Sequence, residues 1–338
     1  MAALRAVSAE HNVGLDVLWS WSTLRLQQAL AWPDGVMKRV DAYRCSCGPA
    51  PNLEVPDEVL LPLDAEWPVS LDRLEKPPLS LYRRGDDRLL PLLAEQRSVA
   101  VVGTRSASQH GLAMAEALGA ALALEGWPVL SGLADGVDAA AHRGCLSAGG
   151  VPVAVIGTPL DRVYPRHHEE LQRSVANQGL LLSELSPAQR VQPGNFAARN
   201  RLLVAMARAL VVVECPERSG ALISAQLAVD LQCPVWVIPG DAARWSARGS
   251  NRLLQDQAAV LLSPDDLIAH LGPGPCKSQS GGASSHDLIE ALGSGATLDA
   301  LHKALGRPVS ALSAELLMLE LSGQVTCESG LHWRPSRR

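Results

Sequence analysis

The centre of this sequence predicts an α/β domain built on a doubly wound parallel sheet, and three observations carry that prediction. A short apolar run, a small-residue loop and a helical segment recur from Val99 to Leu262. The runs are nearly continuous rather than alternating, as strands covered on both faces require. Residues of unusual chemistry gather just after the runs, where open sheets of this kind bind their ligands.

Residues 1–64 mix short helical patterns with Pro and Gly and predict a small helical N-terminal domain. In it, the segment LDVLWSWSTLRLQQAL from Leu15 places Trp19, Leu24 and the neighbouring leucines on the core face of a helix. The main domain spans 65–272. It opens with PPLSLYRRGD from Pro77, read as an edge strand and a turn. Its parallel strands are the runs Val99–Val102, Val129–Leu130, Val153–Ile156, Leu180–Leu182, Leu210–Val213, Val235–Ile238 and, more weakly, Val260–Leu262. Helical patterns such as Leu112–Leu124 and Ala221–Leu231 lie between them. A Gly-, Ser- and Pro-rich linker, 273–285, leads to a module over 286–338 with three helices and a hairpin, the outline of a winged helix. Its third helix, from Val309, carries two glutamates and no basic residue, which suits docking better than reading a DNA groove.

The chain has 338 residues, a 47% apolar fraction and a net charge of −5. These totals fit a globular protein of several domains, and nucleic-acid binding would have to rest on a local patch. Seven scattered cysteines, with no pair at zinc-ligand spacing, read as reduced thiols. The apolar runs are too short to span a bilayer, and no signal-peptide pattern opens the chain. A cytoplasmic location is expected, with no cofactor and no metal.

One stretch departs from the global charge. Between Leu185 and Val213 lie Arg190, Arg199, Arg201 and Arg208 without a single Asp or Glu. The loop after Val213 brings Ser219 and Gly220 to the start of a helix, where free N–H groups accept an anion, so a phosphate-bearing ligand is the natural candidate. Gly103 stands where a dinucleotide fingerprint would begin, but the other glycines of that fingerprint are absent; the loop offers Thr104, Ser106, Ser108 and Arg105 instead. Ser131 and Gly132 open a second tight loop. Asp138 is read as a helix-start partner, hydrogen-bonded to His142 one turn on, and His167 and His168 as a solvated helix start. Phe196, the only phenylalanine, suits either core packing or a base-stacking platform rimmed by Arg199, Asn200 and Arg201. Glu214 and Glu217 have no nucleophile beside them, so a catalytic centre is not expected.

Six motifs in order resemble the DNA-processing protein A family (DprA or Smf) of bacterial natural transformation. They are VVGTRSAS from Val101, SGLADGVDAAAH from Ser131, VIGTPLDRVYP from Val155, FAARNR from Phe196, ERSGALISA from Glu217 and VIPG from Val237. The likeness runs from about Trp67 to Leu271. It implies an extended Rossmann-like fold, no catalysis, binding of single-stranded DNA, handover of that DNA to the RecA recombinase, and a homodimer. Carried over, the DNA pocket comprises Gly103, Arg105, Ser131, Gly132, Phe196, Arg199, Asn200, Arg201, Ser219 and Gly220. Two residues depart from the pattern: Asp135 stands where the family commonly has arginine, and Ala197 where proline usually follows the phenylalanine. The competing expectation is a nucleotide-processing enzyme that cleaves a nucleoside monophosphate at its glycosidic bond, with Glu214 as its acid/base. A third is a sensor that binds a small nucleotide and signals through the C-terminal module.

Overall fold

The computed structural model describes residues 2–47, 56–187, 189–256, 258–277, 288–293, 295–305, 309–321, 323–328 and 332–336. Its contacts divide the chain into two units, Met1–Cys276 and Lys277–Arg338.

The first unit is organised around one sheet, with nine strands among the described residues. They are β1 (Val59–Leu60), β2 (Leu81–Gly85), β3 (Val99–Val102), β4 (Val129–Ser131), β5 (Pro152–Val155), β6 (Leu180–Ser183), β7 (Ala209–Val212), β8 (Val235–Val237) and β9 (Ala259–Val260). Their order is β1-β2-β6-β5-β4-β3-β7-β8-β9. From β6 to β9 every neighbouring pair is parallel, while β1 and β2 add antiparallel at one edge. The Pro-rich entry segment thus supplies β2, one place in from the edge, and the sheet begins at Val59.

Every residue of β3 to β7 is buried. Because side chains alternate across a strand, Ala100, Val102 and Val212 enter one core while Val99, Val101 and Val211 enter the other. That is why these runs carry no polar half. Each fully buried Val or Leu contributes about 1.5–3 kcal/mol of transfer free energy. The second core is closed by the helices Gln109–Leu124 and Val137–Ser147, whose backbones meet closely: a Cβ on Gly144 would overlap the Glu116 carbonyl.

The N-terminal helices Ala2–His11, Leu15–Ser20, Thr23–Leu30 and Asp34–Cys47 enclose Val7, Leu18, Trp21, Leu26, Leu30 and Met37. The single helix expected from Leu15 is in fact two. Ser22 caps a fresh start by accepting a hydrogen bond from the Arg25 N–H, and the new register turns Leu26 and Leu30 inward. Leu24, expected in the core, is left 66% exposed.

The second unit contains a helical segment over 288–292, the helices Leu298–Leu305 and Val309–Leu321, and strands β10 (Ala296–Thr297), β11 (Val325–Glu328) and β12 (His332–Pro335) in the order β10-β12-β11. Leu288, Leu292, Leu301, Leu312, Leu316, Leu319, Val325 and Trp333 form its core. Three helices and a hairpin are the expected winged-helix elements. Most of the expected linker lies outside the described residues.

Candidate nucleic-acid interface

The chain proceeds outward from β3 to β6, then returns along residues 184–208 to place β7 on the other side of β3. Loops leaving β3 and β7 therefore diverge, and a crevice opens at the carboxyl ends of these two strands. A cavity of about 370 Å³ occupies it, lined by Gly103, Thr104, Arg105, Asp138, Phe196, Arg199, Asn200, Arg218, Ser219 and Gly220 among others.

Each side of the cavity has a local cause. After β3 the chain must pass close to the strand beside it, since Thr104 donates its N–H to the Glu214 carbonyl at 2.7 Å. A Cβ on Gly103 would come within 2.9 Å of that carbonyl oxygen. Arg105 then projects outward, exposed and without an ion pair among the described residues, its guanidinium carbon 5.4 Å from the Phe196 ring centre. Phe196 is held from the other side by Tyr164, ring centres 4.7 Å apart. It is half-buried, so the ring is both packed and presented.

Opposite lies the start of the helix Gly220–Asp230. The Ser219 hydroxyl accepts from the Ala221 N–H at 3.2 Å, and a Cβ on Gly220 would meet only Asn200, at 3.6 Å. This helix start is open space at the positive end of the dipole; the Ala221 and Leu222 N–H groups already bond Ser219, which leaves the Gly220 N–H to meet a ligand. Arg218 beside it is exposed and also free of ion pairs among the described residues.

Arg199 plays a different part. It is buried, donates to the Val155 carbonyl, and fills the space left by the missing side chain of Gly132. Burial holds its pKa below the usual value, against the raising effect of Asp138 nearby. Burial likewise pushes Asp138 up, against Arg199 and the N–H groups of Ala134 and Gly132. Arg199 and Asp138 are thus buried in the cavity lining, near enough to act on one another electrostatically.

The structure brings Gly103, Arg105, Phe196, Arg199, Asn200, Ser219 and Gly220 to this cavity, and Gly132 to its supporting wall. It does not bring Arg201, whose guanidinium is paired with Glu184 by bonds of 2.9 and 2.6 Å. Ser131 is fully buried and donates to the Val101 carbonyl at 2.6 Å. Arg218 was missed; the signal was its place immediately before the helix start at Ser219.

Two further readings are corrected. Asp138 does not bond His142: its carboxylate accepts from the Gly132 and Ala134 N–H groups at 3.1 and 3.4 Å, while His142 Nε2 donates to the Val153 carbonyl at 3.2 Å. His168 is buried rather than solvated, its Nδ1 3.1 Å from the Leu133 carbonyl, and burial holds its pKa low. Glu214 does not line the cavity. Its carboxylate accepts from Ser108 Oγ at 2.6 Å, from the Ser108 N–H at 3.1 Å and from Ser246 Oγ. Burial alone would raise its pKa, but these bonds prevail and hold it below the usual carboxylate value.

An exposed pair of arginines, an aromatic face and a helix start at the switch point of a doubly wound sheet define an α/β protein with an open, arginine-rimmed crevice at the carboxyl ends of its strands. The family described as DNA recombination-mediator protein A matches residues 58–272, and the DprA winged helix domain matches residues 273–330. The chain belongs to the DNA recombination-mediator protein A family. It is 33% identical to "Protein Smf" of Synechocystis sp. over 80% of this chain and 69% of that protein. It is 34% identical to the "Putative DNA processing protein DprA" of Mycobacterium tuberculosis over 82% and 76%. Among solved structures, DprA of Streptococcus pneumoniae superposes with a TM-score of 0.65 at 29% identity, covering 79% of this chain and 91% of that one. DprA of Helicobacter pylori, described for its single-stranded DNA binding mode, gives 0.55 at 31% identity over 63% and 94%. Among the described residues, no helix is long and apolar enough to cross a membrane.

Proposed function

We propose that this protein binds single-stranded DNA across the cavity at the ends of β3 and β7 and serves DNA processing during transformation and recombination. The observation that carries the reading is that two exposed arginines without ion pairs among the described residues, Arg105 and Arg218, line one cavity with a presented aromatic ring. Arg105 and Arg218 neutralise phosphates, the Gly220 N–H holds another phosphate oxygen, and Phe196 stacks a base. Arg199, buried in the lining and tied to the Val155 carbonyl, holds the wall in place. A duplex keeps its bases stacked and paired, so a stacking ring favours the single strand. Contacts of this kind are blind to sequence, as incoming DNA of any origin demands. The Helicobacter pylori relative's single-stranded DNA binding supports the assignment.

Three finer readings complete the proposal: the protein loads the RecA recombinase onto the bound strand, works as a homodimer in the cytoplasm, and catalyses no reaction itself. The ties on Glu214 count against the glycosidic-bond hydrolase, since a carboxylate held ionised by three donors is a poor general acid. The deciding experiment is fluorescence anisotropy of a labelled oligonucleotide, single-stranded and as a duplex, with wild type and Phe196→Ala. Preference for the single strand that shrinks in the variant supports the site. Equal binding to both forms, or release of free base from nucleoside monophosphates, defeats it.

A further inference from the structure

We propose that Asp135, His167 and His168 form a site for a divalent transition-metal ion of the zinc class. Their ligand atoms all lie within 4.8 Å of one another. His167 Nε2 is 2.8 Å from Asp135 Oδ1, and His168 Nε2 is 3.4 Å from the same oxygen.

The tautomer of His168 gives the cluster its direction. A carbonyl oxygen can only accept, so Nδ1, 3.1 Å from the Leu133 carbonyl, carries the hydrogen. In the neutral ring, Nε2 is then an acceptor, and it faces a second acceptor, the Asp135 carboxylate. Two acceptors aimed at one another mark a place for a cation. The same arrangement, a backbone carbonyl orienting one ring nitrogen while the other ligates, is the usual support of a metal-binding histidine. His168 is 2% exposed, which fixes the ring, whereas His167 and Asp135 are open enough to admit an ion and adjust to it. Two imidazoles and one carboxylate suit zinc, cobalt or nickel rather than magnesium or calcium, which prefer all-oxygen shells.

The ion's remaining positions would face a cavity lined by Arg105, Ser106 and Arg143, open to a water or an anion. The cluster was hidden in the sequence because Asp135 stands on the loop after β4 and the His pair on a short helical turn, Arg166–His168, and a single Asp with adjacent histidines matches no ligand spacing. The bland alternative is an ordinary ion pair between Asp135 and a protonated His167, and the test separates the two.

Tag-free, chelator-treated full-length protein is titrated with cobalt(II) and followed by its visible d–d absorption, then challenged with zinc. One equivalent per chain, with intense bands of low coordination number that zinc abolishes, is expected. Asp135→Asn and His167→Ala should each weaken cobalt binding about tenfold or more. His110→Ala, on the exposed start of the helix Gln109–Leu124, should leave it unchanged. Far-UV circular dichroism confirms that the variants fold. Absent or substoichiometric binding overturns the proposal, as does binding that both substitutions leave intact.

Discussion

The arginines of this chain make the sharpest test, because the structure sorts them into free, paired and buried. Each cation that neutralises a phosphate of a single strand contributes about 0.7 to the slope of log K against log salt. Arg105 and Arg218 are exposed and unpaired among the described residues, so they should contribute about 1.4 together. Over about a fourfold change in salt, each contact then alters K by about 2.6-fold and the two by about sevenfold. The Gly220 N–H adds affinity but no slope, since a neutral donor releases no counterion. Arg201 already has a bidentate partner in Glu184, so Arg201→Ala should leave the slope unchanged. The assay is anisotropy of a short labelled single strand over a salt series, with Arg105→Ala, Arg218→Ala, the double variant and Arg201→Ala. An Arg201→Ala slope loss equal to that of Arg105→Ala would refute the sorting, and an unchanged double variant would refute the site.

His142 is buried and its pKa is lowered to about 4 from 6.5, chiefly by desolvation, so the unfolded chain takes up a proton that the folded one resists. The stability this confers is fully present above pH 6.5 and is lost as pH falls toward 4, roughly 3 kcal/mol in all. Urea denaturation at stepped pH should show that decline, and His142→Gln should flatten it. Gly144→Ala should destabilise the first unit by about 1–3 kcal/mol despite alanine's better helix propensity, because the added methyl meets the Glu116 carbonyl; thermal unfolding with no loss would contradict this contact. Removing the second unit should leave single-strand affinity within about threefold if that module docks partners rather than DNA, where a greater loss would make it part of the interface. The cut belongs after Cys276, since Gly274 and Cys276 donate N–H bonds to Glu125 and Gly126.

The strands were legible because buried parallel strands leave an unmistakable trace: the apolar run at Val99–Val102 needs no partner to be recognised, those of β4 to β8 were placed nearly as well, and the weaker run at Val260–Leu262 meets β9 only at Val260. The helix break at Ser22 was harder, since a serine within a leucine-rich pattern reads equally as a polar face. At the site, backbone features were readable in advance, the helix start at Ser219 and the tight loop at Gly103 among them. The fate of each arginine was not. Arg199, Arg201 and Arg218 look alike as letters, and only tertiary placement decides that one is buried in the cavity wall, one spent on Glu184 and one left free. Glu184 lies just outside the acid-free stretch, so the positive field inferred from the sequence was larger than the one that forms.

The return of the chain along residues 184–208 also bears on when the protein can bind at all. Phe196, Arg199 and Asn200 ride on that return, Arg105 follows β3, the first strand of one half of the parallel sheet, and Ser219 follows β7, the first strand of the other. No contiguous piece of the first unit owns the cavity, so a nascent or partly folded chain has nothing with which to grip a strand. Binding is thereby a proofreading of assembly. A strand that holds only the finished sheet stabilises it in proportion to ligand concentration, and protection from proteolysis should rise with added single strand across both halves together.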